Sequence, residues 1–394
     1  MRSDDVQPLG RAVGLVAVLV ALLSMLQSVQ AGPARADSTE YRALTPVRIL
    51  DTRLGTGGWR GLVPGGTTVQ LTVTGASGIP GDAQAAALNV TVTSGTQGGW
   101  VTIFPCGQAV PNASSLNYLP GQTVANMVIA KIGSSGRVCL RPSGTTHLIV
   151  DANGYFPAGT SYLPLQPARA ADTRNGTGVR PGPVPAFGVL AVPVAGRYGV
   201  PADAAAVSMN VTVTVPSTGG WAAVFPCGAP RPNASNLNFV AGQTVANAVL
   251  SEVGTGGSIC FFTSARTQVL VDVNGAFAAD TSYIPFSPER LLDTRQDPVG
   301  PLLPTEVLVL TVADPGELAV ISLNVTATEP GWPGWLTVFP CDRAEPNASN
   351  LNFAAGRTVP NAVLTGVSPA GEVCITASAR LHVIVDANGV FLTD

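Results

Sequence analysis

Asp51-Thr52-Arg53 recurs as Asp172-Thr173-Arg174 and again as Asp293-Thr294-Arg295. On a strand, alternation puts Asp and Arg on one face, where a carboxylate and a guanidinium can pair or cap neighbouring backbone. Such a set can serve as an internal clamp at a strand end or as the edge of a carbohydrate site. A second set is Asp151-Ala152-Asn153-Gly154, Asp272-Val273-Asn274-Gly275 and Asp386-Ala387-Asn388-Gly389. Asp and Asn two apart before Gly resemble part of a calcium loop, but the other oxygen ligands are missing. The same residues also make capped turns. No cofactor is expected, with calcium kept as the one alternative.

The asparagines form a third set. Pro111-Asn112-Ala113-Ser114-Ser115-Leu116-Asn117 returns with Asn233 and Asn238, then with Asn347 and Asn352. Asn89 and Asn126 have equivalents in Asn210 and Asn247, and in Asn324 and Asn361. Amides beside apolar residues tie irregular backbone together through several hydrogen bonds; the competing use is glycan recognition. Trp100, Trp221 and Trp335 open one strand of each copy and are read as core packing, whereas Trp59 and Trp332 sit in variable loops and are read as exposed anchors.

Enzyme chemistry fits poorly. The two histidines, His147 and His382, stand at equivalent places where the second copy carries Gln268, so no base recurs. No Ser-His-Asp or Cys-His set is evident. Asp51 with Asp151 is the remaining route, a glycosidase carboxylate pair. With a net charge of −3 and a single lysine, Lys131, no basic patch exists for nucleic acid.

The elements that must position these residues are strands. Ala86 to Thr93 alternates, with Leu88, Val90 and Val92 on one face and Asn89, Thr91 and Thr93 on the other. Gly and Pro, 44 and 33 in number, fall between such runs and read as turns. Asn153-Gly154 reads as a tight hairpin turn. No helical period of useful length occurs.

Six cysteines, Cys106 and Cys139, Cys227 and Cys260, Cys341 and Cys374, keep one spacing in each copy, and the repeat selects a bridge inside each. The expected fold is all-β, with three tandem β-sandwich-like repeats over residues 41–157, 162–278 and 283–394, open to packing with pseudo-threefold symmetry. The third is seven residues shorter between Asp293 and Trp335 than the first between Asp51 and Trp100, which marks a surface loop. Arg2 and Arg11, the apolar run Ala12 to Leu26, and Ala34-Arg35-Ala36 predict a signal peptide over 1–36 and a secreted or cell-surface chain with no transmembrane span after cleavage.

The Leu-Asp-Thr-Arg opening, the Pro-Asn-Ala-Ser-x-Leu-Asn stretch and the Val-Asp-x-Asn-Gly-x-Phe close resemble repeat modules of secreted and cell-surface actinobacterial proteins, sometimes appended to hydrolases. The resemblance covers about residues 41 to 391 and implies surface location. It implies no ligand or catalytic residue, and with no catalytic domain alongside it leaves binding or scaffolding. The expected function is a secreted or cell-envelope structural or adhesion protein of three disulfide-bridged repeats, with a protein partner or self-association. The alternatives are a carbohydrate-binding protein with one shallow site per repeat, facing cell-wall or extracellular glycan, and a carboxylate-dependent glycoside hydrolase.

Overall fold

The computed structural model describes residues 40–75 and 78–393, and the backbone of Arg11–Val13. The predicted signal peptide lies outside the described residues except for that segment, β1, which pairs in parallel with a strand of the third repeat, Val307–Thr311. The secreted or cell-surface location drawn from that peptide therefore also falls outside what the described residues address. No helix among them is long and apolar enough to cross a membrane.

The first repeat contributes β2 (Arg42–Asp51), β3 (Val69–Thr72), β4 (Ala85–Thr93), β5 (Gly99–Pro105), β6 (Leu116–Tyr118), β7 (Val124–Lys131), β8 (Arg137–Pro142) and β9 (His147–Phe156). They form two antiparallel sheets, ordered β2-β9-β4-β7 and β3-β8-β5-β6. The second repeat, from Tyr162 to Phe277, and the third, from Tyr283 to Leu392, follow the same order. The chain thus crosses between two sheets as it runs, the interleaved double Greek-key path.

In each repeat the two sheets enclose an apolar core; in the first it includes Leu88, Val90, Val92, Ile103, Leu140 and Val150. A fourth core belongs to no single repeat. Tyr41, Phe156, Tyr162, Phe277, Tyr283 and Phe391 close a ring with neighbouring centroids 4.0 to 5.9 Å apart. Each tyrosine is the first aromatic of its repeat and each phenylalanine the last, so the ring clasps the ends of all three. Glu40 caps it: it accepts from the Ser161 backbone and hydroxyl and, at 2.5 Å, from Thr281 Oγ1.

These contacts correct the fold expectation. The chain is all-β, but it is not three self-contained sandwiches in tandem: of its six sheets, five four-stranded and one extended to five by β1, the β2-β9-β4-β7 sheet of the first repeat and its two equivalents share one central core in a closed body. The number of sheets, and four strands in all but one, match a six-bladed β-propeller, while the strand order within each departs from the consecutive meander of a blade. The reason is visible in β4, buried along both faces up to Thr93. Its alternation suggested one wet face, yet Asn89 and Thr91 are buried against a neighbouring repeat.

The predicted Asn153-Gly154 hairpin is also corrected, since both residues lie inside β9. A register shift opposite Leu88 makes a bulge there. Gly154 is needed because a Cβ would run into the Tyr41 phenol and the Arg42 carbonyl, and Gly275 and Gly389 meet Tyr162 and Tyr283 in the same way. The three disulfides close inside their own repeats, Cys106–Cys139, Cys227–Cys260 and Cys341–Cys374, each tying the end of one strand to its neighbour in the same sheet.

Candidate functional site

The Asp-Thr-Arg and Asp-x-Asn-Gly sets meet in space. Arg48 stands opposite Asp151 across β2 and β9, and a bulge between Arg48 and Leu50 re-aims the strand end. Arg48 holds Asp151 with two hydrogen bonds, Nε at 2.8 Å and Nη2 at 3.1 Å. Arg53 holds Asp51 through Nε at 2.9 Å, Nη2 at 2.6 Å and its backbone N–H at 3.0 Å. Arg169 and Arg174 bind Asp272 and Asp172 in the second repeat, and Arg290 and Arg295 bind Asp386 and Asp293 in the third. Each repeat therefore carries a charge-balanced quartet.

Sequence reasoning passed over Arg48, Arg169 and Arg290. Their signal was an arginine three residues before the aspartate in every copy. A guanidinium occupies the space between Asp51 and Asp151 that a calcium ion would need. Among the described residues no group of three or more acidic, His or Cys side chains gathers to hold a metal.

The two carboxylates of a quartet differ in environment. The Arg53 hydrogen bond holds Asp51 below the ordinary carboxylate range, and Arg295 does the same for Asp293. Burial pushes Asp151, Asp272 and Asp386 up, Asp386 to about 6, because desolvation outweighs their arginines. Both Asp51 and Asp151 are buried, so neither faces solvent as a glycosidase acid or nucleophile must. His147 bonds Thr52 at 2.9 Å, His382 bonds Thr294 at 3.0 Å, and Gln268 accepts from Thr173 at 2.5 Å. The histidines and the glutamine thus do one job, tying a strand to the residue after its aspartate.

The asparagines divide into two groups. Asn126 donates to Asn210 at 2.9 Å, Asn247 to Asn324 at 2.9 Å, and Asn361 to Asn89 at 3.1 Å, so first repeat binds second, second binds third, and third binds first. These are buried seam residues. Asn112, Asn233 and Asn347 are exposed, while Asn117, Asn238 and Asn352 are half-buried beside them. In each copy a serine hydroxyl reaches the second of the pair, Ser235 to Asn238 at 3.2 Å for instance. Asn153, Asn274 and Asn388 are buried; Asn388 donates to the Leu250 carbonyl of the second repeat at 2.9 Å.

The exposed asparagines line grooves at the seams. A groove of about 640 Å³ lies between the first and second repeats, with Trp100, Asn112 and Asn117 on one wall and Arg169, Arg174 and Thr214 on the other. A groove of about 320 Å³ lies between the third and first, with Trp335, Asn347 and Asn352 facing Arg48, Arg53 and Thr93. Hydroxyl pairs edge both: Thr214 with Thr244 at 2.6 Å, and Thr93 with Thr123 at 2.7 Å. Trp100 is 49% exposed and Trp335 38%, which corrects their reading as core residues. Trp332 is exposed as expected, but Trp59 packs against the first core.

The exposed ring, free amide edges, hydroxyls and fixed guanidinia are the groups that stack on a sugar face and bond to its hydroxyls. No single repeat supplies all of them to one groove. This overturns the reading of separate disulfide-bridged repeats serving adhesion or scaffolding, because the polar motifs build grooves between repeats.

No family model matches the chain, and no curated protein matches it. The resemblance to actinobacterial surface modules is thereby left without support, and the closed six-sheet body is not a string of such modules. Among solved structures, the chain is similar to one described as the triple jelly roll fold and turret assembly in an archaeal virus, at 11% identity and a TM-score of 0.21, covering 91% of this chain and 98% of that one. It is also similar to one from the Sulfolobus turreted icosahedral virus, at 10% identity and a TM-score of 0.21, covering 91% and 99%. At these scores neither likeness bears on the fold or role of this protein.

Proposed function

We propose that the protein is a non-enzymatic carbohydrate-binding protein whose sites are the shallow grooves between repeats. The observation that carries this reading is the repetition of one constellation at two seams: an exposed tryptophan and two asparagines from one repeat, facing an arginine pair from the next. Volumes of about 320 and 640 Å³ suit a short oligosaccharide. The quartets favour binding over hydrolysis, because their carboxylates are spent on arginines and closed to solvent. Three disulfides suit an oxidising compartment.

A glycan array probed with the whole protein tests the reading, followed by titration of the best oligosaccharide. Trp100→Ala together with Trp335→Ala removes both stacking platforms and should weaken binding at least tenfold while leaving the melting temperature within a few degrees. Binding unchanged in the double variant, or no glycan bound by the wild type, would sink it.

A further inference from the structure

The three seams share a plan but differ in charge. Two residues beyond the second cysteine of each repeat stand Arg141, Phe262 and Thr376. Arg141 lines the larger groove beside Trp100 and donates to Thr68 Oγ1 at 3.1 Å. It makes no ion pair with a carboxylate among the described residues. Across the groove, Arg169 is fully engaged by Asp172 and Asp272, and Arg174 is paired with Asp172. The quartet is neutral, so Arg141 leaves the groove with an uncompensated positive charge.

At the seam between the third and first repeats the equivalent of Arg141 is Thr376, whose hydroxyl donates to the Glu345 carboxylate at 2.8 Å. In the second repeat, Phe262 lies 5.0 Å from Trp221, and the Arg231 guanidinium covers Phe262 at 4.4 Å. The tryptophan there is engaged by its own repeat.

We propose that the groove between the first and second repeats selects a carboxylate-bearing sugar, a uronic-acid oligosaccharide, with its carboxylate on Arg141 and a ring on Trp100. A planar guanidinium presents two parallel N–H groups that match a carboxylate. The groove between the third and first repeats lacks that charge and takes neutral sugar. The proposal rests on the carbohydrate reading and narrows it for one seam.

Calorimetric titration of the whole protein with trigalacturonate, and with a neutral galactose trisaccharide, tests it. Trigalacturonate should bind more tightly than the neutral trisaccharide, and more weakly as salt rises. Arg141→Ala should lose at least tenfold for trigalacturonate and stay within twofold for the neutral sugar, and Arg141→Lys should recover part of the loss. If the neutral sugar binds as tightly as the acidic one, or Arg141→Ala holds trigalacturonate within twofold, the selectivity is wrong while the carbohydrate reading stands. If neither sugar binds, and the glycan array is blank, both fall.

Discussion

Asn126 of the first repeat donates from its side-chain amide to Asn210 Oδ1 of the second at 2.9 Å, while its own Oδ1 accepts the Ala248 backbone N–H of that repeat at 3.0 Å. The same pair of bonds recurs at the other two seams, through Asn247 and Asn361. Each asparagine also donates to its own repeat, Asn126 to the Ser115 carbonyl at 2.5 Å. The residue therefore joins the loop that carries the groove asparagines to the next repeat. The grooves exist in their observed shape because these amides fix one repeat against another.

Asn126→Ala should cost about 3 kcal/mol, since it strands Asn210 Oδ1 and the Ala248 N–H in a buried seam. Denaturant unfolding measures this. A loss under about 1 kcal/mol would mean that the seam network does not hold the body together.

Gly154→Ala should destabilise by more than about 2 kcal/mol, because the added methyl overlaps the Tyr41 ring in a packed core. Gly81 has open space at its Cβ position and an ordinary φ. Gly81→Ala should therefore stay within about 0.5 kcal/mol of the wild type or gain slightly. Equal effects at the two sites would contradict the close approach of Tyr41.

Each disulfide closes a loop with a sequence separation of 33 residues. Replacing Cys106 and Cys139 by serine should lower stability by roughly 3 to 4 kcal/mol. Thermal melts with and without reductant provide the comparison, and a reductant-insensitive wild type would argue against the bridges.

Asp386 gives a pH signature. Its folded pKa of about 6 lies above the ordinary 3.8, so between these values the folded chain holds a proton that the unfolded chain has lost. Its contribution is fully present below pH 4 and is lost as pH rises through 6, by about 3 kcal/mol. Asp51 and Asp293 run the other way: their contribution is present above the ordinary pKa and is lost as pH falls through their depressed values. The stability difference between wild type and Asp386→Asn should therefore shrink from pH 4 to pH 7. Parallel profiles over that range would show that the carboxylate is not held neutral.

The sequence by itself determined the threefold repetition, the all-strand character, the pairing of the cysteines and the positions of the polar sets. These depend on periodicity and local chemistry, which one repeat carries alone. What lies opposite each polar face was decided only by tertiary structure. Asn89 and Asn117 share a residue type and similar apolar flanks, yet one is sealed in a seam at 2% exposure and the other lines a groove. Tyr41 and Phe391 stand at the two ends of the repeat array and meet in the central ring at 5.9 Å. Alternation along a strand says which side chains share a face, but the burial of that face depends on how three repeats close on one another. That closure is set by seam contacts such as Asn247 with Asn324, 77 positions apart, and Asn361 with Asn89, 272 apart, which no local pattern records.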